Sequence, residues 1–189
     1  MVSLCNNVAG VDELDSAWTL FTKNDFEPPV MSTEDIIGTG GYSKVYKMKM
    51  KSNGAEVAGK KFHNFTEANH RELDMLKKLN HQNVVKLHGH INDRHADDFV
   101  IIMEKADGSL RQYLKGNVDA YNNKPCEPRL LSKWMREVCD AIQYLHGRDP
   151  PVIHRDIRGA NCLLFGGRDY RLKLADFGLS KETDHTTGT

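Results

Sequence analysis

An excess of either charge is missing from this 189-residue chain, in which 26 Lys and Arg face 26 Asp and Glu. A nucleic-acid or polyanion binder needs a basic excess, so no nucleic-acid partner is expected, and each basic residue needs a local explanation. Long apolar runs are also missing. Met1–Gly10 holds neither Lys nor Arg and no sustained apolar stretch, and nothing later approaches the length that spans a bilayer. The expectation is a soluble, cytoplasmic chain with no membrane partner. Cysteine is scarce: Cys5, Cys126, Cys139 and Cys162 show no paired spacing, which argues against a disulfide framework or zinc site and predicts reduced thiols. Nine histidines, His88, His90 and His95 among them, have no second ligand cluster beside them and are expected on the surface or in loops. There is no internal repeat or low-complexity tract, and the length suits one sizeable core or two small lobes.

What is present is a change of period along the chain. Val11, Leu14, Trp18 and Phe21 share a helical stripe, ended by Pro28-Pro29, which predicts a short helix in a pre-domain segment. Tyr46, Met48 and Met50 then alternate with Lys47, Lys49 and Lys51, the period of a half-buried strand, and Ser52-Asn53-Gly54 supplies a turn before a strand from Val57 to Phe62. Leu73, Leu76 and Leu79 mark a helix between Glu67 and Leu79, and Phe99–Met103 reads as a buried strand. Trp134, Val138, Ile142 and Leu145 give a second amphipathic helix, and Cys162–Phe165 with Tyr170–Leu174 a hairpin. Strands, helix, strands, helix and hairpin make an α+β arrangement.

Four motifs carry chemistry. The first is Ile37-Gly38-Thr39-Gly40-Gly41-Tyr42-Ser43-Lys44-Val45, where glycines let backbone N–H groups approach phosphate oxygens. Its rivals are an ordinary glycine turn and a dinucleotide fingerprint; the fingerprint must open a helix, and a Lys-alternating strand follows instead. The second is Val57-Ala58-Gly59-Lys60, which puts Ala58 and Lys60 on one strand face and Lys61 on the other. Lys60 is expected to be an exposed strand lysine whose replacement spares the fold. It needs an anionic partner, and Glu72 on the following helix is preferred to Glu67 and Asp74.

The third motif is His154-Arg155-Asp156-Ile157-Arg158-Gly159-Ala160-Asn161, and the fourth is Leu174-Ala175-Asp176-Phe177-Gly178-Leu179. Either alone could be a polar loop. All four in this order, on strands and loops of the right kind, resemble the eukaryotic protein kinase family over about residues 33–189.

The resemblance implies a two-lobe fold, with a complete N-lobe (a five-stranded antiparallel sheet plus one helix) and a partial C-lobe. It divides the chain into an extension (1–30) and a kinase domain (31–189), with the N-lobe at about 33–103, a hinge at 104–107 and the C-lobe part at 108–189. It also implies transfer of the ATP γ-phosphoryl to a protein substrate with Mg2+ as cofactor. The glycine turn from Ile37 to Val45 covers the phosphates, and Lys60 reaches them. Val45, Ala58 and Leu163 sandwich the adenine, Met103 backs the pocket, and Glu104-Lys105-Ala106 is the hinge that binds it. Asp156 is the catalytic base, Arg158 meets the transferring phosphate, and Asn161 and Asp176 ligate Mg2+. Gly178 permits a backbone reversal, Phe177 packs beneath the Glu72 helix, and Leu76, Leu87, His154 and Phe177 form an apolar stack between the lobes.

The stretch Ile157-Arg158-Gly159-Ala160-Asn161 is similar to kinases that activate MAP kinase kinases and to the tyrosine-kinase-like serine/threonine group. Arg158 replaces the Lys usual in serine/threonine kinases, so serine/threonine specificity is favoured with tyrosine as the alternative. A silent kinase-like scaffold is the other class. Its usual sign, loss of the strand lysine, the catalytic aspartate or the metal aspartate, is not seen. The short distance from Asp176 to Thr189 leads us to expect a fragment that stops in the activation segment, where Arg155 can pair with a phosphorylated Thr183, Thr186 or Thr187, the last two preferred.

Overall fold

The structure is a computed structural model, and it describes residues 18–63, 66–93, 98–120, 127–166 and 170–183. In chain order, strand β1 (Thr19–Phe21) precedes two short 3-10 turns at Lys23–Asp25 and Thr33–Asp35. Strands β2 (Ile36–Thr39), β3 (Ser43–Lys49) and β4 (Glu56–Phe62) lead to helix α1 (Glu67–Lys78), and strands β5 (Leu87–Asp93) and β6 (Asp98–Glu104) follow. The second half holds β7 (Gly108–Ser109), α2 (Leu110–Ala120), α3 (Pro128–His146), β8 (Val152–Ile153), β9 (Cys162–Phe165), β10 (Arg171–Leu174) and β11 (Lys181–Glu182).

The first half is a six-stranded sheet in the order β1-β5-β6-β4-β3-β2. Five of its strands, β2 to β6, pair antiparallel as the resemblance implies, and β1 adds a sixth that runs parallel to β5. This corrects two expectations. The sheet is larger than five strands, and residues 19–21 are strand rather than the end of a helix; residues 11–17 of that stripe lie outside the described residues. The reason is an open edge: β5 offers unpaired backbone groups, and pairing them outweighs a weak helical period in a short segment. Gly89 makes the close approach possible, because a Cβ there would sit 2.0 Å from the Thr19 carbonyl oxygen.

Both faces of the sheet are covered, which is why β6 reads as an uninterrupted apolar run. Val100 and Ile102 are fully buried on the outer face with Phe26, Tyr46, Met48, Val57 and Ile91. Phe99 and Ile101 are buried on the inner face against Leu73 and Leu76 of α1. That inner core continues through Phe177, Leu164 and Leu172 to Trp134, Ala141 and Leu145 of α3, so it joins the two halves. Glu67 begins α1 and Lys77 and Lys78 end it, each sign at the helix pole that it stabilises. Helix α3 starts on Pro128 at its first turn, and the Gly147 N–H closes it on the Gln143 carbonyl at 2.9 Å. Trp134 anchors α3: its Nε1–H donates to the Tyr170 carbonyl at 3.0 Å and Tyr113 packs edge-on at 5.0 Å.

Two further differences concern single elements. Helix α2 goes beyond the sequence reading, although Leu110, Tyr113 and Leu114 have its spacing. His88 and His90 lie half-buried in β5 rather than in a loop or on an open surface, and the edge strand β1 pairs alongside His90. His95 lies outside the described residues, as do Cys5 and Cys126. Cys139 and Cys162 are free thiols, and burial pushes the Cys162 thiol up to about 11, where it is unreactive. Among the described residues no helix is long and apolar enough to cross a membrane.

Candidate active site

Strand pairing decides which side chains look into the space between the halves. Val45 is opposite Lys60, Lys60 opposite Ile101 and Ala58 opposite Met103, so these residues share the inner face of the sheet. Lys60 Nζ donates to Glu72 Oε1 and Oε2 at 2.6 and 2.8 Å and to Asp176 Oδ1 at 2.9 Å. One ammonium thus ties β4, α1 and the turn after β10. The lysine is 8% exposed and Glu72 is 3% exposed, which corrects the expectation of an exposed strand lysine. Helix α1 lies over this part of the sheet and removes the pair from water. Burial opposes charge on Lys60, but the Glu72 and Asp176 carboxylates outweigh it and hold the ammonium above its usual value. Burial likewise pushes Asp176 upward, and the Lys60 ammonium overcomes this to hold its carboxyl low.

The loop after β8 is built around His154. Its Nε2 lies 3.1 Å from the Ala175 carbonyl and its Nδ1 accepts the Asp156 N–H at 3.3 Å. Those partners fit only a neutral ring protonated at Nε2, and burial pushes the imidazole below its usual value accordingly. The ring meets Phe177 edge-on at 4.7 Å. Asn161 Nδ2 donates to the Asp156 carbonyl at 2.9 Å and to its Oδ2 at 2.8 Å, and Arg158 Nε lies 3.2 Å from the same Oδ2. Arg155 and Asp176, one in each loop, both have φ of 65°, a left-handed conformation that costs a non-glycine residue roughly 1–3 kcal/mol.

That strain corrects the role expected of Gly178, since the left-handed turn falls on Asp176 itself. Gly178 is needed for space: a Cβ there would lie 3.3 Å from Glu72 Oε2 and 3.5 Å from Asp176 Oδ1. Leu76, Leu87, His154 and Phe177 are each at most 2% exposed and lie at the junction of the halves.

The glycine turn joins β2 to β3, with Ile37, Gly38 and Thr39 on one strand and Ser43, Lys44 and Val45 on the other. The Gly40 N–H closes it on the Ser43 carbonyl at 2.8 Å, and Gly41 and Tyr42 are exposed at its tip. Leu163 lies on β9 and is half-buried, and Ala106 follows β6, also half-buried. The Glu104 side chain is engaged as well. Its carboxylate accepts two bonds from Lys173 Nζ, at 2.6 and 2.7 Å, and the Lys86 N–H at 2.7 Å. The sequence gives no sign of Lys173, which alternates with the buried Leu172 and Leu174 as a solvated strand lysine would.

Arg155 Nε donates to the Leu179 carbonyl at 2.7 Å, and β11 pairs with β8, so the start of the following segment is tied back. Thr183 donates from its N–H and its hydroxyl to the Pro151 carbonyl, at 2.9 and 3.3 Å. Thr186 and Thr187 lie outside the described residues.

A partial two-lobe α+β fold, with a lysine, a helix glutamate and a loop aspartate meeting between the lobes, defines the catalytic core of a protein kinase. The model of the protein kinase domain family matches residues 31–189, and the chain belongs to that family. Members of this family in general use ATP and Mg2+. The chain is 27% identical over 182 residues to serine/threonine-protein kinase WNK8 of Arabidopsis thaliana, covering 92% of this chain and 30% of that protein. It is 31% identical over 193 residues to receptor protein-tyrosine kinase CEPR2 of the same plant, covering 92% of this chain and 19% of the relative. Against its calcium/calmodulin-regulated receptor-like kinase 2 the identity is 34% over 168 residues, covering 86% and 37%. The chain therefore spans well under half the length of these relatives.

Proposed function

We propose that the protein to which this chain belongs transfers the γ-phosphoryl group of Mg-ATP to a protein hydroxyl, serine/threonine rather than tyrosine. The observation that carries this reading is the meeting of Lys60, Glu72 and Asp176 through one ammonium. A lysine held between two carboxylates is fixed in position and charge, which is what binding the α- and β-phosphates requires. Val45, Ala58, Met103 and Leu163 supply apolar walls for the adenine, and the backbone of Glu104 and Ala106 its polar contacts. The turn from Ile37 to Val45 covers the phosphates. We assign residues 33–103 to the N-lobe, 104–107 to the hinge and 108–189 to the part of the C-lobe in this chain.

The donor set suits the metal. Asp176 and Asn161 offer hard oxygen ligands, and Asn161 spends its amide nitrogen on Asp156, which leaves the amide oxygen for a cation. Among the described residues no group of three His, Cys, Asp or Glu is placed to hold a metal, as fits an ion whose other ligands are phosphate oxygens and water. When bound, Mg2+ supplies neutralisation of the phosphate charge. Asp156 does the protein's own work on the acceptor: it orients the hydroxyl and takes its proton, with Asn161 and Arg158 holding Oδ2 and Oδ1 left for the substrate. Arg158 is 58% exposed at its side chain, close enough to leave Asp156 for the incoming phosphoryl.

The test is transfer of label from γ-labelled ATP to a generic protein substrate, followed by phosphoamino-acid analysis. Label on serine or threonine that Asp156→Asn abolishes is the expected result. Label on tyrosine alone moves the acceptor class, and absence of both transfer and Mg-ATP binding overturns the reading.

A further inference from the structure

The segment from Trp18 to Met31 lies almost wholly before the region matched by the family model, yet it is built into the lobe on both faces of the sheet. Side chains alternate across a strand, and parallel partners point the same way. Leu20 is opposite His90 and His90 opposite Ile101, so Trp18 and Leu20 belong to the inner face that carries Lys60. Phe21, opposite Ile91, belongs to the outer face. The packing agrees: Trp18 rests on the cluster containing Leu73 and Leu76 of α1, and Phe21 on the cluster containing Phe26.

Three independent features fix this segment. Phe26 is 1% exposed, forms a bridge with Met50 and meets Phe21 at 5.5 Å. Backbone bonds run from the Glu27 N–H to Lys49 and from the Lys51 N–H to Asp25, at 2.8 and 2.9 Å, with a Lys49–Glu27 ion pair at 3.0 Å. Gly89 leaves the space that the Thr19 carbonyl occupies, so β5 itself is shaped for β1. Against this, β1 is three residues long with Leu20 64% exposed, so its N-terminal part is held less firmly than the Phe26 plug.

We infer that Trp18 is a positioning residue for Glu72, and that Trp18–Met31 is a clip whose inner jaw sets α1 while its outer jaw, Phe26, serves stability. Trp18 adds to the core into which Leu73, next to Glu72, is packed. Releasing it loosens α1 and lengthens the Lys60–Glu72 contact, whereas loss of Phe26 weakens the outer core without moving α1. The consequence for activity rests on the function proposed above; the consequence for α1 does not.

The experiment compares Trp18→Ala, Trp18→Phe and Phe26→Ala with the wild type in the same protein, by amide hydrogen exchange without nucleotide and by steady-state kinetics. Trp18→Ala is expected to speed exchange in α1 at least tenfold and to lower kcat/KM by a similar factor with little change in Tm. Trp18→Phe restores both, and Phe26→Ala lowers Tm while α1 exchange stays as in the wild type. Should Trp18→Ala fail to fold, Trp18→Leu carries the same comparison. Unchanged α1 exchange in the Trp18 variant, or equal loosening by Phe26→Ala, overturns the inference. A wild type without phosphotransfer overturns the proposed function instead, and the exchange measurement still decides the role of Trp18.

Discussion

Asn161 grips Asp156 twice with one nitrogen, at the backbone carbonyl and at Oδ2, 2.9 and 2.8 Å away. The loop between them is thereby closed into a ring by its own functional side chains. Asp156→Asn keeps the volume but turns an acceptor into an amide, and the expected outcome is loss of phosphotransfer by at least a hundredfold with Mg-ATP affinity largely kept. Asn161→Ala is expected to lose both, because it removes a proposed metal ligand and the brace on Asp156. Isothermal titration with Mg-ATP beside a transfer assay separates the two, and equal loss of nucleotide affinity in Asp156→Asn would mean that its role is structural.

Burial of Lys60 changes what its replacement does. Lys60→Met leaves the Glu72 carboxylate unpaired in the core, which costs about 3–5 kcal/mol, so loss of activity comes with loss of stability. Lys60→Met/Glu72→Leu removes both charges and is expected to recover most of the stability and none of the transfer. Denaturant unfolding of the two variants checks this; a fully stable Lys60→Met sets an upper limit near zero on the pair's contribution.

His154 gives the fold a pH dependence of known sign. Its imidazole is held below the ordinary value of 6.5, chiefly by burial, so below that pH the unfolded chain binds a proton that the folded chain refuses. Stability therefore falls as pH drops through and below about 6.5. His154→Gln is expected to flatten the pH profile of Tm on the acid side relative to the wild type. Parallel profiles would show that the ring binds its proton equally well in the folded and the unfolded chain, against the burial described here. At the alkaline end the sign reverses for Lys60, whose raised value makes its contribution full below 10.5 and lost as pH rises from there through the folded value.

Glu104 and Lys173 form a bidentate pair with side chains only 21% and 15% exposed, joining the end of β6 to β10 two residues before Ala175. A pair of this kind holds the proposed hinge against the hairpin that leads to Asp176. Lys173→Met leaves the carboxylate with the Lys86 N–H alone and is expected to cost about 1–3 kcal/mol and to raise KM for ATP severalfold. Glu104→Gln should do less, since an amide oxygen can still accept from Lys173. A double-mutant cycle on Tm and KM checks the coupling, and additive effects would leave the pair without a role in the hinge.

The local chemistry of this protein is written in its sequence. Period-two alternation in β3, the apolar run of β6, the helical stripes of α1 and α3 and the four motifs each depend on near neighbours, and the structure has them where the sequence puts them. Contacts between distant residues are another matter. That Lys60 is buried rather than solvated follows from α1 lying over it, that Glu104 finds Lys173 follows from the way the hairpin returns to the hinge, and that Thr19–Phe21 is a strand follows from the open edge of β5. Each depends on which surfaces meet after the chain has folded, and a side chain's local pattern is the same whether its face meets water or another element. The left-handed Arg155 and Asp176 belong here too: no local preference favours either conformation in full, and only the packed loops around them hold it.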